Sequence, residues 1–264
     1  TARLSHQFGG LEGIKSLKTL RGKLEDDEAI ITLLSQFQQL HELILQAPRQ
    51  FLLIAEQEHQ TGLIDDLEQY WQDPGAQETD SRLELPPLRA SIKQAWLTAT
   101  QVSFCAKAYA TVPSSHEDNA VLHVLAGFLR NGFLHRAIRE QGGAYGGGAG
   151  QDANSASFRF FSYRDPRLDD TLSDFDRAIE WVGSSNHPPH QLEEAILGVI
   201  AAMDKPSSPA GEAKQAFYNR LFGRTLEQRM AFRRRALEVT MDDLKQVAQR
   251  YFAPDSASIG VITN

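Results

Sequence analysis

The chain has 264 residues, 41% of them hydrophobic, and a formal net charge of −7. That length and apolar content supply a proper core for one large or two ordinary domains, which excludes global disorder. The acidic balance excludes a nucleic-acid binder, whose phosphate contacts require a basic face.

The small basic cluster Arg229, Arg233, Arg234 and Arg235 is interleaved with Glu227 and Glu238 and reads as a solvated helix face. Cys105 is the single cysteine, so an intrachain disulfide and a thiolate zinc cage are both ruled out. Its setting, VSFCAK, alternates as a strand does, and Cys105 reads as a buried small side chain. No apolar run approaches the roughly 18–20 residues of a membrane span, and no signal-peptide pattern opens the chain. A soluble, cytoplasmic protein is expected. The chain begins at Thr1, which suggests a processed product or an excised part of a longer protein.

Residues 1–85 read as mainly helical. Leu11, Ile14, Leu17 and Leu20 recur at spacings of three, and a longer pattern covers 26–47. Residues 51–55 form a short apolar run suited to a buried strand, and 61–72 carry Leu63, Ile64, Leu67 and Tyr70 at helical spacing. One strand makes no sheet by itself, so this segment is expected to complete a sheet whose other strands lie upstream of Thr1. Residues 73–89, DPGAQETDSRLELPPLR, turn polar and proline-bearing and form the best linker candidate. The predicted organisation is a first domain portion over 1–85, a linker over 86–94 and a complete domain over 95–264.

Residues 95–111 alternate like one long strand or two. Ser114-Ser115-His116-Glu117 then reads as a capping box, opening a helix with Ala120, Val121, Val124, Leu125 and Phe128 on one face. Residues 133–141 continue helically into GGAYGGGAG, six glycines in nine positions around Tyr145. Each glycine costs about 0.5–1 kcal/mol against alanine, so such a cluster marks a flexible linker or a place where another backbone approaches closely. The aromatic run SFRFFSY that follows at 157–163 reads as a buried strand and decides for a folded domain. Helical patterns then cover 166–182, 188–203, 210–222, 226–237 and 241–252, and a last strand covers 256–263.

Most chemistries fail by motif. His41-Glu42 begins a His-Glu-x-x-His helix, but Leu45 occupies the second ligand position. His187 and His190, followed by Glu193 and Glu194, form the densest His/Glu cluster and read as loop and cap residues. His116 and His123 flank a capped helix. The glycines follow a helix and precede a strand, the reverse of a phosphate-binding loop, and Gly-x-Ser-x-Gly is absent. What remains is Arg139 and Tyr145 across the helix-to-strand turn. A guanidinium and a phenol there can both point into a cleft and donate to a carbonyl oxygen or a peptide backbone. A surface ion pair for Arg139 and a core-edge position for Tyr145 is the alternative.

LHRAIREQGGAYGGGAG, followed by Tyr163-Arg164-Asp165-Pro166, resembles the fourth domain of presequence-protease-like enzymes in the M16 (pitrilysin, inverzincin) family of zinc metallopeptidases. The closing Thr240-Met241-Asp242-Asp243-Leu244 also fits. The resemblance covers about residues 90–264 and, more loosely, the first 85 as the end of a third domain. It implies an α+β fold, an antiparallel-rich sheet packed against several helices, in an enzyme of four related domains that close as two halves around a peptide chamber. It further implies that Tyr145 binds or polarises the scissile carbonyl, that Arg139 holds the substrate backbone or orients the tyrosine, and that Gly142, Gly143 and Gly146 lie along the substrate. The His-x-x-Glu-His zinc motif is missing here. Zinc is therefore expected in the N-terminal half of the same protein, with no metal and no proteolysis in this chain alone. The implied partners are that half and an unfolded peptide. A noncatalytic M16-like scaffold or peptide-binding module is the alternative.

Overall fold

The alternation at 95–111 resolves into two strands, β1 Lys93–Leu97 and β2 Ser103–Ala110, in a computed structural model that describes residues 8–71, 90–184 and 187–264. β2 buries every second side chain, Ser103, Cys105, Lys107 and Tyr109, as the two-residue period of a strand with one covered face requires. β3 Gly146–Asp152 and β4 Ser157–Asp165 form an antiparallel hairpin, and β5 Ser258–Thr263 completes a five-stranded sheet ordered β1-β5-β2-β4-β3. Among the described residues only β1 and β5 pair in parallel. The α+β, antiparallel-rich expectation holds.

Contacts divide the chain into two units, Thr1–Pro86 with Ser207–Phe222, and Pro87–Pro206 with Gly223–Asn264. The first contains α1 Gly10–Lys23, α2 Asp27–Gln46, α3 Gln57–Tyr70 and α7 Pro209–Leu221. The second holds the sheet together with α4 Asp118–Leu129, a π-helix Arg130–Gln141, α5 Asp169–Gly183, α6 Pro189–Asp204, α8 Leu226–Leu237 and α9 Met241–Tyr251.

The core of the second unit follows from strand register. Tyr109 stands opposite Phe158 and Lys107 opposite Phe160, so these side chains share the helix-covered face. Phe158 and Phe160 meet Phe252 at ring-centroid distances of 4.7 and 5.9 Å, and Phe160 lies 5.6 Å from Phe175. α4 is buried on nearly every side, which its all-round apolar sequence anticipates. The buried Lys107 ammonium is matched by Asp176 at 2.5 Å, the pairing that a charge removed from water needs.

Three local expectations are corrected. Residues 51–55 form no strand: with no ladder partner among the described residues, Phe51 instead packs against Trp71 at 5.9 Å. The capping box at Ser114 and Glu117 is absent. Glu117 is itself the N-cap, and the Asp118 amide donates to His116 Nδ1 at 3.1 Å, so Ser114 lies too early to cap. Capping boxes form instead at Thr225 with Gln228, opening α8, and at Thr240 with Asp243, opening α9. Residues 130–141 are π-helical, a rare geometry often found at functional sites. The linker expected at 73–89 lies outside the described residues.

Candidate functional site

The π-helix delivers the chain into β3 through a turn with little freedom. Gly143 donates to the Arg139 carbonyl at 3.2 Å and Ala144 to the Ile138 carbonyl at 3.1 Å, which ties off the end of the helix. Gly143 has φ +77°, a left-handed conformation suited to glycine. At Gly142 a Cβ would lie 1.9 Å from Arg167 Nη2 and 2.6 Å from the Ile138 carbonyl oxygen. At Gly146 it would lie 2.5 Å from Tyr163 Oη, and at Gly147 2.8 Å from Ile138 Cγ2. These glycines admit other parts of the same chain. Far from forming a loose loop, Gly146, Gly147, Gly148 and Gly150 belong to edge strand β3.

Tyr145 stands at the start of that strand and is 62% exposed, in contrast to its neighbours Ala144 and Gly146. Its amide donates to the Arg164 carbonyl at 3.2 Å, its ring lies 5.7 Å from that of Tyr163, and the Arg164 guanidinium sits 5.5 Å above its centroid. That last geometry is an attractive cation–π arrangement. Arg164 holds φ 49° without being glycine, a conformation that costs about 1–3 kcal/mol and persists where its surroundings enforce it. Arg139 projects from the last turn of the π-helix and is exposed. Both expected side chains thus flank one turn. Among the described residues no hydrogen bond joins them, and the cation over the phenol ring is Arg164. The run Tyr163-Arg164 is visible in the sequence, but its place beside Tyr145 depends on the β3–β4 register, which pairs Gly146 with Tyr163.

A buried polar cluster fixes the turn from beneath. Arg167 donates to the Ala137 carbonyl at 3.3 Å and pairs with Asp174 at 3.1 Å, while the Asp165 carboxylate accepts from the Arg167 amide at 3.0 Å and from Thr171 Oγ1 at 2.8 Å. Asp165 and Asp174 are almost completely buried, and these bonds offset their desolvation. Cys105 is buried, and burial pushes its thiol above the ordinary value, with a hydrogen bond to Ser162 opposing the rise. That is the opposite of an activated nucleophile.

His187 and His123 are part of the packed structure. The His187 ring packs 4.4 Å from Trp181 and 5.2 Å from Phe128. Burial pushes the His123 imidazole below its ordinary value, with a 2.8 Å hydrogen bond to the Asn119 carbonyl opposing the shift. The basic cluster is partly tied down, by Arg233–Asp204 at 2.5 Å and Arg235–Asp243 at 2.8 Å. Among the described residues the group of potential metal ligands is Glu56, Glu58 and His59, all exposed around the start of α3. They do not fit a catalytic zinc centre, whose ligands are oriented by outer hydrogen bonds in a shielded cavity.

Residues 93–256 match the family model described as the PreP C-terminal domain. The mitochondrial presequence protease of Yarrowia lipolytica is 31% identical over 259 residues, covering 97% of this chain and 26% of that protein. The Danio rerio enzyme of the same name is 39% identical over 160 residues, 61% of this chain and 15% of that protein. The chain therefore spans about a quarter or less of these relatives. A protease from Helicobacter pylori superposes with TM-score 0.62 at 12% identity, over 77% of this chain and 52% of that one. A peptidase M16 inactive domain from Pseudomonas fluorescens superposes with TM-score 0.54 at 16% identity, over 66% and 43%. At such identity the likeness is one of fold. No helix among the described residues is long and apolar enough to cross a membrane. The relatives are named mitochondrial, which leaves the expected cytoplasmic placement without support.

Proposed function

Because the chain belongs to the PreP C-terminal domain family of M16 peptidases, we propose that it forms part of the peptide chamber of a zinc metalloendopeptidase and presents Arg139 and Tyr145 to the substrate. The observation that carries this reading is Tyr145 itself. A large aromatic side chain stands 62% exposed at the end of a conformationally fixed glycine turn, between Tyr163 and a strained Arg164. A phenol so held suits donation to a carbonyl oxygen as negative charge develops there, because its orientation is set before substrate arrives.

In this reading the Tyr145 hydroxyl donates to the scissile carbonyl, and Arg139, on the adjoining helix end, donates to a backbone carbonyl of the extended peptide. Gly142, Gly143 and Gly146 line the peptide's path through their backbone, while their lack of side chains lets Arg167 and Tyr163 pack beneath the turn. Zinc, held by the N-terminal half of the same protein, supplies Lewis acidity, and the partners are that half and an unfolded peptide. The chain alone is then inactive.

The test is peptide turnover by the intact protein. Tyr145→Phe should lower kcat by about tenfold or more with zinc content retained, as expected for loss of a transition-state donor; unchanged kcat would exclude the role. The likeness to an M16 domain named inactive favours a second reading, a noncatalytic scaffold or peptide-binding module. It predicts a parent protein without a His-x-x-Glu-His segment, which the upstream reading frame decides.

A further inference from the structure

Away from Arg139 and Tyr145, the second unit contains a cavity of about 550 Å³ between the start of α4, the β3–β4 turn and α8. Its walls carry Arg159, Arg224 and Arg229 against one carboxylate, Asp152. In a chain of net charge −7, this is a local cationic excess. Arg224 donates to Asn154 Oδ1. Burial alone would raise the Asp152 carboxyl, but hydrogen bonds from Ser155 and Asn154, and then the nearby Arg159, hold it below the ordinary range. Arg229 is exposed and makes no ion pair among the described residues.

Asn119 is the second, independent observation. It lines the same cavity, is 3% exposed, and its side-chain oxygen has no hydrogen-bond partner. An orphaned buried amide costs about 1–3 kcal/mol, a cost that a ligand amide can remove after a small rotation of the side chain. Phe232 and Met203 supply an apolar wall. His123, Gln151, Met203 and Phe232 also line an adjoining groove of about 440 Å³. That groove is walled by small residues from three elements, Gly127, Ala149, Gly150, Ala195, Gly198 and Ala202, which leave room for a main chain to lie close.

The cleft joins a cationic pocket that also carries the Asn119 amide and the Phe232 wall to a trough lined by small side chains. We propose that this cleft binds the C-terminal end of a peptide, its α-carboxylate on Arg229 and Arg159, its last amide on Asn119 and its last side chain on Phe232. A phosphate would occupy the cationic pocket but leave the amide and trough unused. The assignment rests on the peptidase reading and gives it a second contact, which holds a chain by its free end. The arginine fork suits a carboxylate because two parallel N–H donors match its two oxygens.

The experiment is fluorescence anisotropy of N-terminally labelled Ala-Ala-Ala-Leu, as free acid and as carboxamide, with the intact protein in EDTA. The acid should bind about tenfold or more tightly than the amide, and Arg229→Gln should remove that preference without weakening the amide. Asn119→Asp, isosteric but negative, should weaken the acid more than the amide. Acid and amide binding alike, or an unchanged preference in Arg229→Gln, would overturn the proposal. Succinate competing at the same concentration as the peptide would overturn it too, by making a small free carboxylate the ligand. None of these readouts needs turnover. Failure of Tyr145→Phe to slow cleavage, with the acid preference intact, would therefore discredit the catalytic reading and spare this cleft.

Discussion

Helices α1 and α2 of the first unit carry apolar stripes as regular as the face of α4 in the second, yet only α4 is buried. In the first unit Ile14, Leu17, Ile31, Leu34 and Phe37 are each more than half exposed, and Gly13 is the one buried residue among those described. In the second, Val121, Leu122 and Leu125 of α4 are fully enclosed in the core. Hydrophobic periodicity specifies that a segment is helical and which side wants cover. It does not supply the cover, which for α4 comes from α6, the glycine strand β3, the π-helix, α8 and α9 packed around it.

The sharpest way to break that comparison is a pair of truncations followed by urea unfolding. Phe160→Ala should cost about 3–5 kcal/mol, the usual consequence of emptying an aromatic site in a closed core. Leu34→Ala in α2 should change stability by no more than about 0.5 kcal/mol, because its side chain is already 55% exposed. A comparable loss for Leu34→Ala would mean that the α2 stripe is covered in solution.

A smaller contrast lies inside the glycine cluster. Gly142→Ala places a Cβ against Arg167 and the Ile138 carbonyl and should cost about 1–3 kcal/mol, the range of overpacked sites. Gly150→Ala meets nothing within 4 Å and should be neutral or gain up to about 1 kcal/mol through a less flexible unfolded chain. Thermal unfolding of both variants separates packing from backbone freedom as the reason for these glycines. Equal effects would remove the packing account.

What was legible in the sequence divides along the same lines. The α+β class, the strand pattern at 95–111, the aromatic strand at 157–163 and the closing strand follow from local alternation; alternation left one long strand or two open at 95–111, and the structure has two. The failures are tertiary. An apolar run at 51–55 satisfies the local rules for a strand, but a ladder needs a partner. The chain around Arg130 has helical propensity that does not distinguish α from π pitch. At the candidate site, Arg139 and Tyr145 stand out in the sequence because one precedes and the other lies within an unusual composition. The Arg164 guanidinium over the Tyr145 ring was hidden in a register between two strands, and the Asn119 cleft in the packing of α4 against α8.

Helix starts offer an intermediate test of the second unit's closure. Asp243 closes the capping box of Thr240 at the start of α9 and pairs with Arg235 at 2.8 Å, and that bond, with help from Thr240, holds its carboxyl down at about 2. The folded state binds this proton less tightly than the unfolded chain, whose carboxyl titrates near about 4. The stabilisation is therefore complete above pH of about 4 and fades as the pH falls toward about 2. Asp243→Ala should cost about 0.5–2 kcal/mol at neutral pH and flatten the acid limb of a stability–pH profile. An unaltered limb would assign acid sensitivity to other groups, of which His123 is the first candidate. Its folded imidazole resists protonation, so stability should begin to fall below pH of about 6.5.

The smallest expected effect probes whether closure of the second unit is complete. Tyr109 is 1% exposed, packs 4.9 Å from Phe252, and carries a hydroxyl with no hydrogen-bond partner. Burial, and then the charge of Asp176, push that phenol above its ordinary value, so it stays neutral. Tyr109→Phe removes an oxygen whose desolvation nothing offsets, leaving only an atom-sized gap among rings. The two terms oppose each other, and the net change should lie within about 0.5 kcal/mol of zero or favour the variant by up to about 1 kcal/mol. A loss greater than about 1 kcal/mol would show that the hydroxyl is satisfied by an ordered water inside the core, and that the second unit, dry by contrast with the first, is sealed around solvent.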